Sequence, residues 1–229
     1  MDRKYVEEEI EERSGIRKKN FIKSYLKYFC YIASTLIITA LGDITGRIFI
    51  NAEKESIIFL VLILISFILM FIFAYSNGGV LKKIIFFIEP FLIGLCLSYA
   101  KSVNIILCLI ITFLIVSISI FLGYFSYEKI IKKDEKIIKK MGKFLFVCLI
   151  VSLISNLLNI YLNLPEIILP TIILFSFYIF YDSIRFKQEI LSTENCIISD
   201  DKILFHVMKM YLDIMNIYAN VQAINDDNN

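Results

Sequence analysis

The run "SIIFLVLILISFILMFIFAYS", residues 56 to 76, contains no charged side chain. A helix needs roughly 20 apolar residues to cross the hydrocarbon core of a bilayer, and this run supplies them. It is continuous rather than alternating, so it does not read as a strand of a membrane barrel. Six further apolar runs follow the same pattern, at 25–47, 84–100, 103–125, 144–163, 165–182 and 203–224. Hydrophobic residues make up 58% of the 229-residue chain, against about 45–50% in an average soluble domain. So many spans leave little chain for a soluble core. The expectation is an all-α multi-pass membrane protein: a seven-transmembrane-helix bundle over 25–224, preceded by an arm at 1–24 and followed by an acidic tail at 225–229.

Connections between the runs are short. Lys101 to Asn104 reads as a tight turn between the third and fourth. Pro165 ends the fifth and starts the sixth, because proline cannot continue a helix behind it. Each of those pairs therefore forms an antiparallel hairpin. All but Arg47, Lys54, Lys101 and Lys209 of the 24 Lys/Arg fall on one side of a seven-span topology. That bias puts the N-terminus in the cytosol and the tail on the far side. The basic segments flank spans, so no nucleic-acid partner is expected; the partner is the lipid bilayer. Residues 1–20 lack the apolar stretch of a signal peptide. The five cysteines include no CxxC pair, so neither a disulfide framework nor a zinc site is suggested.

An ionisable residue deep in a span is costly and generally has a partner. Asp43, Glu89, Asp182 and Asp213 are the carboxylates in that position. In "FHVMKMYLDIMNIYAN", residues 205 to 220, His206, Lys209, Asp213, Asn216 and Asn220 recur at intervals of three and four. They share one helix face, opposite Leu212, Ile214 and Met215. This stripe fits a last helix at the centre of the bundle or along a wet cavity; it also fits a simple Lys209–Asp213 pair. A second stripe, Ser152, Ser155, Asn156, Asn159 and Asn163, reads as interhelical hydrogen bonding. Asp43 and Arg47 are four apart and form a local salt bridge near the far surface. Glu89 precedes Pro90, which is expected to break its helix and free backbone carbonyls.

"LFSFYIFYDSIRFKQEI", residues 174 to 190, a short polar loop, and then "FHVMKMYLDIMNIY" resemble the C-terminal signature of the Bax inhibitor family. The lead-in "RKKNFIKSYLKYF" and the basic loop "YEKIIKKDEKIIKKMGKFL" are similar to the family's corresponding parts. The resemblance implies a seven-helix bundle with the last helix central. It also implies a pH-sensitive calcium leak in an intracellular membrane such as the endoplasmic reticulum, and protection from cell death. The two aspartates it pairs as gate and proton sensor fall on Asp182 and Asp213, which would meet calcium in passing. Calcium would be the permeant ion, and no cofactor is implied. Relatives can latch an aspartate with an arginine on the second span; that run here has no Arg or Lys, leaving Arg185 or Lys209 as the available cations.

Other readings compete. The lysine-rich loop 126–143 and the N-terminal arm suit a non-transporting protein that engages cell-death regulatory membrane proteins. Lys209 in a last helix suggests a retinal protein, but the chain has no tryptophan to build the usual pocket. With one histidine and neither HExxH nor Gly-x-Ser-x-Gly, an enzyme is not expected.

Overall fold

The computed structural model describes residues 3–49, 56–76, 78–98, 104–131, 135–162 and 168–226. Its seven α-helices are α1 (Arg3–Phe49), α2 (Ser56–Tyr75), α3 (Val80–Leu97), α4 (Ile105–Ser126), α5 (Glu135–Leu162), α6 (Ile168–Ser192) and α7 (Asp200–Asp226). A wide π-type turn, Tyr127–Ile131, extends α4, and a 3₁₀ turn, Glu194–Cys196, joins α6 to α7. No strand occurs among the described residues. The turn predicted at Lys101–Asn104 lies outside the described residues up to Asn104, which caps α4 by accepting a bond from the Leu107 N–H at 3.1 Å. Pro165 and the end of the acidic tail also lie outside them.

Among the described residues, five segments are long and apolar enough to cross a membrane: Ser14–Phe49, Ile57–Tyr75, Ile105–Lys129, Lys136–Leu158 and Ile168–Ser192. The third and seventh helices miss that standard because of their charged and polar residues. Val80–Leu97 carries Lys82, Lys83 and Glu89, and α7 carries Lys209, Asp213 and the asparagines of the stripe. The first apolar run is only part of its helix, since α1 is continuous for 47 residues back through the charged arm.

Helices α1, α3 and α7 run one way and α4 and α6 the other, as the contacts at the two ends show. At one end, Lys27 of α1 pairs with Asp200 at the start of α7, and Gly78 before α3 abuts Asp201. Lys187 of α6 meets Glu128 beyond α4 at 3.2 Å there. This end gathers the basic segments. At the opposite end, Ser98 after α3 lies against Gly46 of α1, and Asn225 of α7 donates to Cys108 of α4 at 3.5 Å.

Helix α7 packs on α1, α3, α4 and α6, while α2 rests mainly on α3 and α5 mainly on α6. It feeds the buried core with Leu204, Val207, Met210, Tyr211, Ile214, Ile217 and Tyr218. Tyr28 of α1 stacks on Phe186 of α6, ring centroids 3.9 Å apart, and donates to Met210 Sδ at 3.4 Å. Helices α1 and α3 approach so closely that a Cβ on Gly94 would lie 2.1 Å from the Thr39 carbonyl oxygen. Small residues at such contacts let helix backbones meet where lipid offers no hydrophobic drive to association. Pro90 does not break its helix as expected: α3 continues through it. Proline is tolerated inside packed membrane helices; here the Tyr211 hydroxyl of α7 lies 3.5 Å from the Pro90 carbonyl.

Gly94→Val forces the α1 and α3 backbones apart. We expect it to destabilise the protein by about 2 kcal/mol or more, the scale of an overpacked core. Thermal melting in detergent would register it, with Gly15→Val, at a position with nothing within 4 Å, as the unaffected control.

Candidate functional site

The site begins with the two faces of α7. Ile214, Ile217, Tyr218 and their neighbours are buried. Lys209, Leu212 and Asn216 are exposed, and Asp213 and Asn220 are partly so. The polar stripe therefore lies on the side that the four packing helices leave open. Leu212 shares that open side rather than the buried one expected for it. Asn216 and Asn220 do not reach across to other helices: each donates to its own helix four residues back, to the carbonyls of Leu212 at 2.8 Å and Asn216 at 2.6 Å.

Asp182 and Asp213 approach one another without sharing a hydrogen bond among the described residues. Lys209 Nζ donates instead to Asp182 Oδ1 at 3.2 Å, and Asp213 lies within electrostatic range of both. The sequence left two arrangements open, a shared proton or a Lys209–Asp213 pair, and the structure has a third. Lys209 sits one turn before Asp213 on α7 and crosses to α6. Its side chain is half exposed (49%) while that of Asp182 is nearly buried (7%), so the bond is open on one side. Of the two available cations, Lys209 makes the contact. Arg185 is exposed and lies over the Tyr181 ring, 5.8 Å from its centroid.

A cavity of about 550 Å³ opens onto this bond at the basic end of the bundle, bounded by α3, α6 and α7. His206 lines it, and its Nε2 lies 2.6 Å from Glu189 Oε2. Lys202 meets the other oxygen of Glu189 at 3.2 Å. These contacts tie the start of α7 to the end of α6. Among the described residues no three His, Cys, Asp or Glu side chains converge as a metal site would require.

The remaining two acids are elsewhere. Asp43 is fully buried toward the far end, where Arg47 Nε donates to Oδ1 at 2.8 Å. Oδ2 accepts from Tyr218 at 3.2 Å and Gln222 at 2.6 Å. The expected local salt bridge is present, and α7 adds two donors, so Asp43 fastens α1 to the last turns of α7. Glu89 is also fully buried. The Ser66 hydroxyl of α2 faces it, yet neither that hydroxyl nor either carboxylate oxygen has a hydrogen-bond partner among the described residues.

Sequence reasoning missed several of these contacts. Gln222 lies nine positions beyond Asp213 on a different face, and Glu189 lies in a segment read as loop. Lys187 is buried, donating to the Tyr124 carbonyl at 2.9 Å and lying 3.7 Å from the Tyr124 ring centroid; only its place directly after Phe186 hinted at that. In α5, Ser152, Ser155 and Asn156 line an apolar cleft against Pro170 and Thr171 of α6; the Asn159 side chain and Asn163 lie outside the described residues.

A family model described as "Inhibitor of apoptosis-promoting Bax1" matches residues 19–228, nearly the whole chain. No curated protein matches it.

Removing the buried Asp43 carboxylate leaves Arg47, Tyr218 and Gln222 without their acceptor. We expect Asp43→Ala to cost roughly 3 kcal/mol, the scale for breaking one side of a buried ion pair. Tyr218→Phe removes a single bond and costs about 0.6 kcal/mol, typical within membranes. Unfolding titrations in mixed micelles would separate the two.

Proposed function

The chain belongs to the Bax inhibitor family, and from that membership and the geometry of its last two helices we propose a calcium leak channel gated by Asp182, Lys209 and Asp213. On this reading α3 and α7 also cross the membrane, sheltered by more apolar neighbours, making seven spans with α7 central. The basic end faces the cytosol, the membrane is intracellular, and no enzymatic step or cofactor takes part. The family's description carries the accompanying role, suppression of cell death together with death-regulating membrane proteins. Asp43, Glu89, Asn216 and Asn220 line or support the pathway.

The observation that carries the reading is the Lys209–Asp182 bond, with Asp213 one turn away on the open face of α7. Two neighbouring carboxylates ionise together only with difficulty, and one readily keeps a proton. Losing that proton leaves two carboxylates facing one ammonium. Repulsion rises, and oxygens become available to a hard cation. Lys209 is then an internal competitor that calcium must displace from Asp182. It takes the place of a cation on the second helix, where this chain has none. Calcium takes six to eight oxygens, so two carboxylates hold it only with water completing the shell. Such partial coordination suits an ion that must also leave.

Calcium efflux from proteoliposomes tests the gate. We expect flux to rise with pH. Asp182→Asn and Asp213→Asn should each lower it about tenfold and flatten its pH profile. Lys209→Gln removes the competitor and should raise flux at neutral pH. Unchanged flux and pH dependence in both aspartate variants would remove the gate assignment.

A further inference from the structure

The cavity at the basic end contains more uncommitted positive charge than negative. Lys82, at the start of α3, is only 7% exposed and lines this cavity. Its ammonium lies between the rings of Phe73 and Phe205, 5.0 and 5.6 Å from their centroids. The Ser76 carbonyl, 3.5 Å away, is a weak acceptor for it. Among the described residues no carboxylate lies within 4 Å of Lys82 or of Arg185, which enters the same cavity from α6. The acids facing the cavity are already engaged, with one exception. Asp182 holds Lys209, and Glu189 holds His206 and Lys202. Asp201 has no cation among the described residues and rests against Gly78.

A buried ammonium met only by ring faces and one distant carbonyl leaves much of its lost hydration unreplaced. Aromatic faces recover part of it. A multiply charged anion recovers more, since phosphate oxygens accept several charge-assisted bonds from Lys and Arg at once. The cavity, about 550 Å³, has room for such a group between Lys82 and Arg185, with Lys202 and Lys209 at its edge.

We propose that this cavity binds a phosphate-bearing anion, held chiefly by Lys82 and Arg185. The same chemistry is available from a lipid headgroup at the membrane surface and from a soluble phosphate. A bound anion also offers Lys209 a second partner and so competes with Asp182 for it. That consequence for flux rests on the gate reading above; the binding itself does not.

The test uses the full chain in two settings. In neutral detergent, calorimetric titration with inorganic pyrophosphate should show saturable binding. Arg185→Gln and Lys82→Gln should each weaken it at least tenfold, and Lys139→Gln, at an exposed position on α5, should leave it unchanged. In phosphatidylcholine nanodiscs doped with phosphatidic acid, native mass spectrometry counts retained lipids. Phosphatidic acid retention that Arg185→Gln abolishes identifies a headgroup site; pyrophosphate binding without that retention identifies a soluble ligand. Absence of both overturns the proposal, as does pyrophosphate binding that Arg185→Gln leaves unchanged or Lys139→Gln weakens equally. Should Lys82→Gln fail to fold, the exposed Arg185 carries the test alone. Binding with no change in calcium flux would retain the site and count against the gate role of Lys209.

Discussion

A carboxylate inside a membrane protein needs a cation, a proton or water beside it, and the bundle is organised around how Asp43, Glu89, Asp182 and Asp213 meet that need. Asp43 has a guanidinium and two donors from α7. Asp182 has the Lys209 ammonium. Asp213 has the open face of its helix. Glu89 has none of these among the described residues. The helix contacts follow from the first two cases. The Asp43 cluster binds α1 to the end of α7, and the Asp182 bond joins α6 to its beginning, so α7 is secured near both ends by charge and along its middle by apolar packing. Tyr211 shows how closely the two kinds of contact interleave: its ring is buried, while its hydroxyl lies 2.8 Å from that of Thr39 on α1.

Much of this was legible in the sequence because the membrane imposes simple rules. A charge-free run such as 56–76 can hardly be anything but a span, and α2 occupies it almost residue for residue. The i,i+4 spacing of Asp43 and Arg47 fixed that pair on one helix. The stripe from His206 to Asn220 was visible as a face, since side-chain direction on a helix follows from spacing alone. Which way the face points was not visible, because that depends on where α1, α3, α4 and α6 settle. Leu212 was misplaced for this reason. Pro90 was misread for a related one: proline is tolerated inside a packed membrane helix, and how α3 packs is not written in its own residues.

The pairing of Lys209 had a similar origin. Along one helix, Lys209 and Asp213 are natural partners. Across the bundle, Asp182 is the more buried acid and gains more from an ammonium. A long flexible side chain can choose between them, and burial decides. The Glu189–His206 contact was hidden because α6 continues well past its apolar part, to Ser192, and carries polar residues to the cavity that hydropathy alone assigns to a loop.

One feature of α1 bears on mechanics rather than chemistry. Its 47 residues amount to roughly 70 Å of continuous helix at the usual rise, more than twice the roughly 30 Å of hydrocarbon it would cross. The excess is a rigid mast. Its base is fastened to the α6–α7 turn, where Asn20 donates to the Asn195 carbonyl at 3.2 Å and Lys27 holds Asp200. Torque applied to the mast is delivered first to the point where the last helix begins.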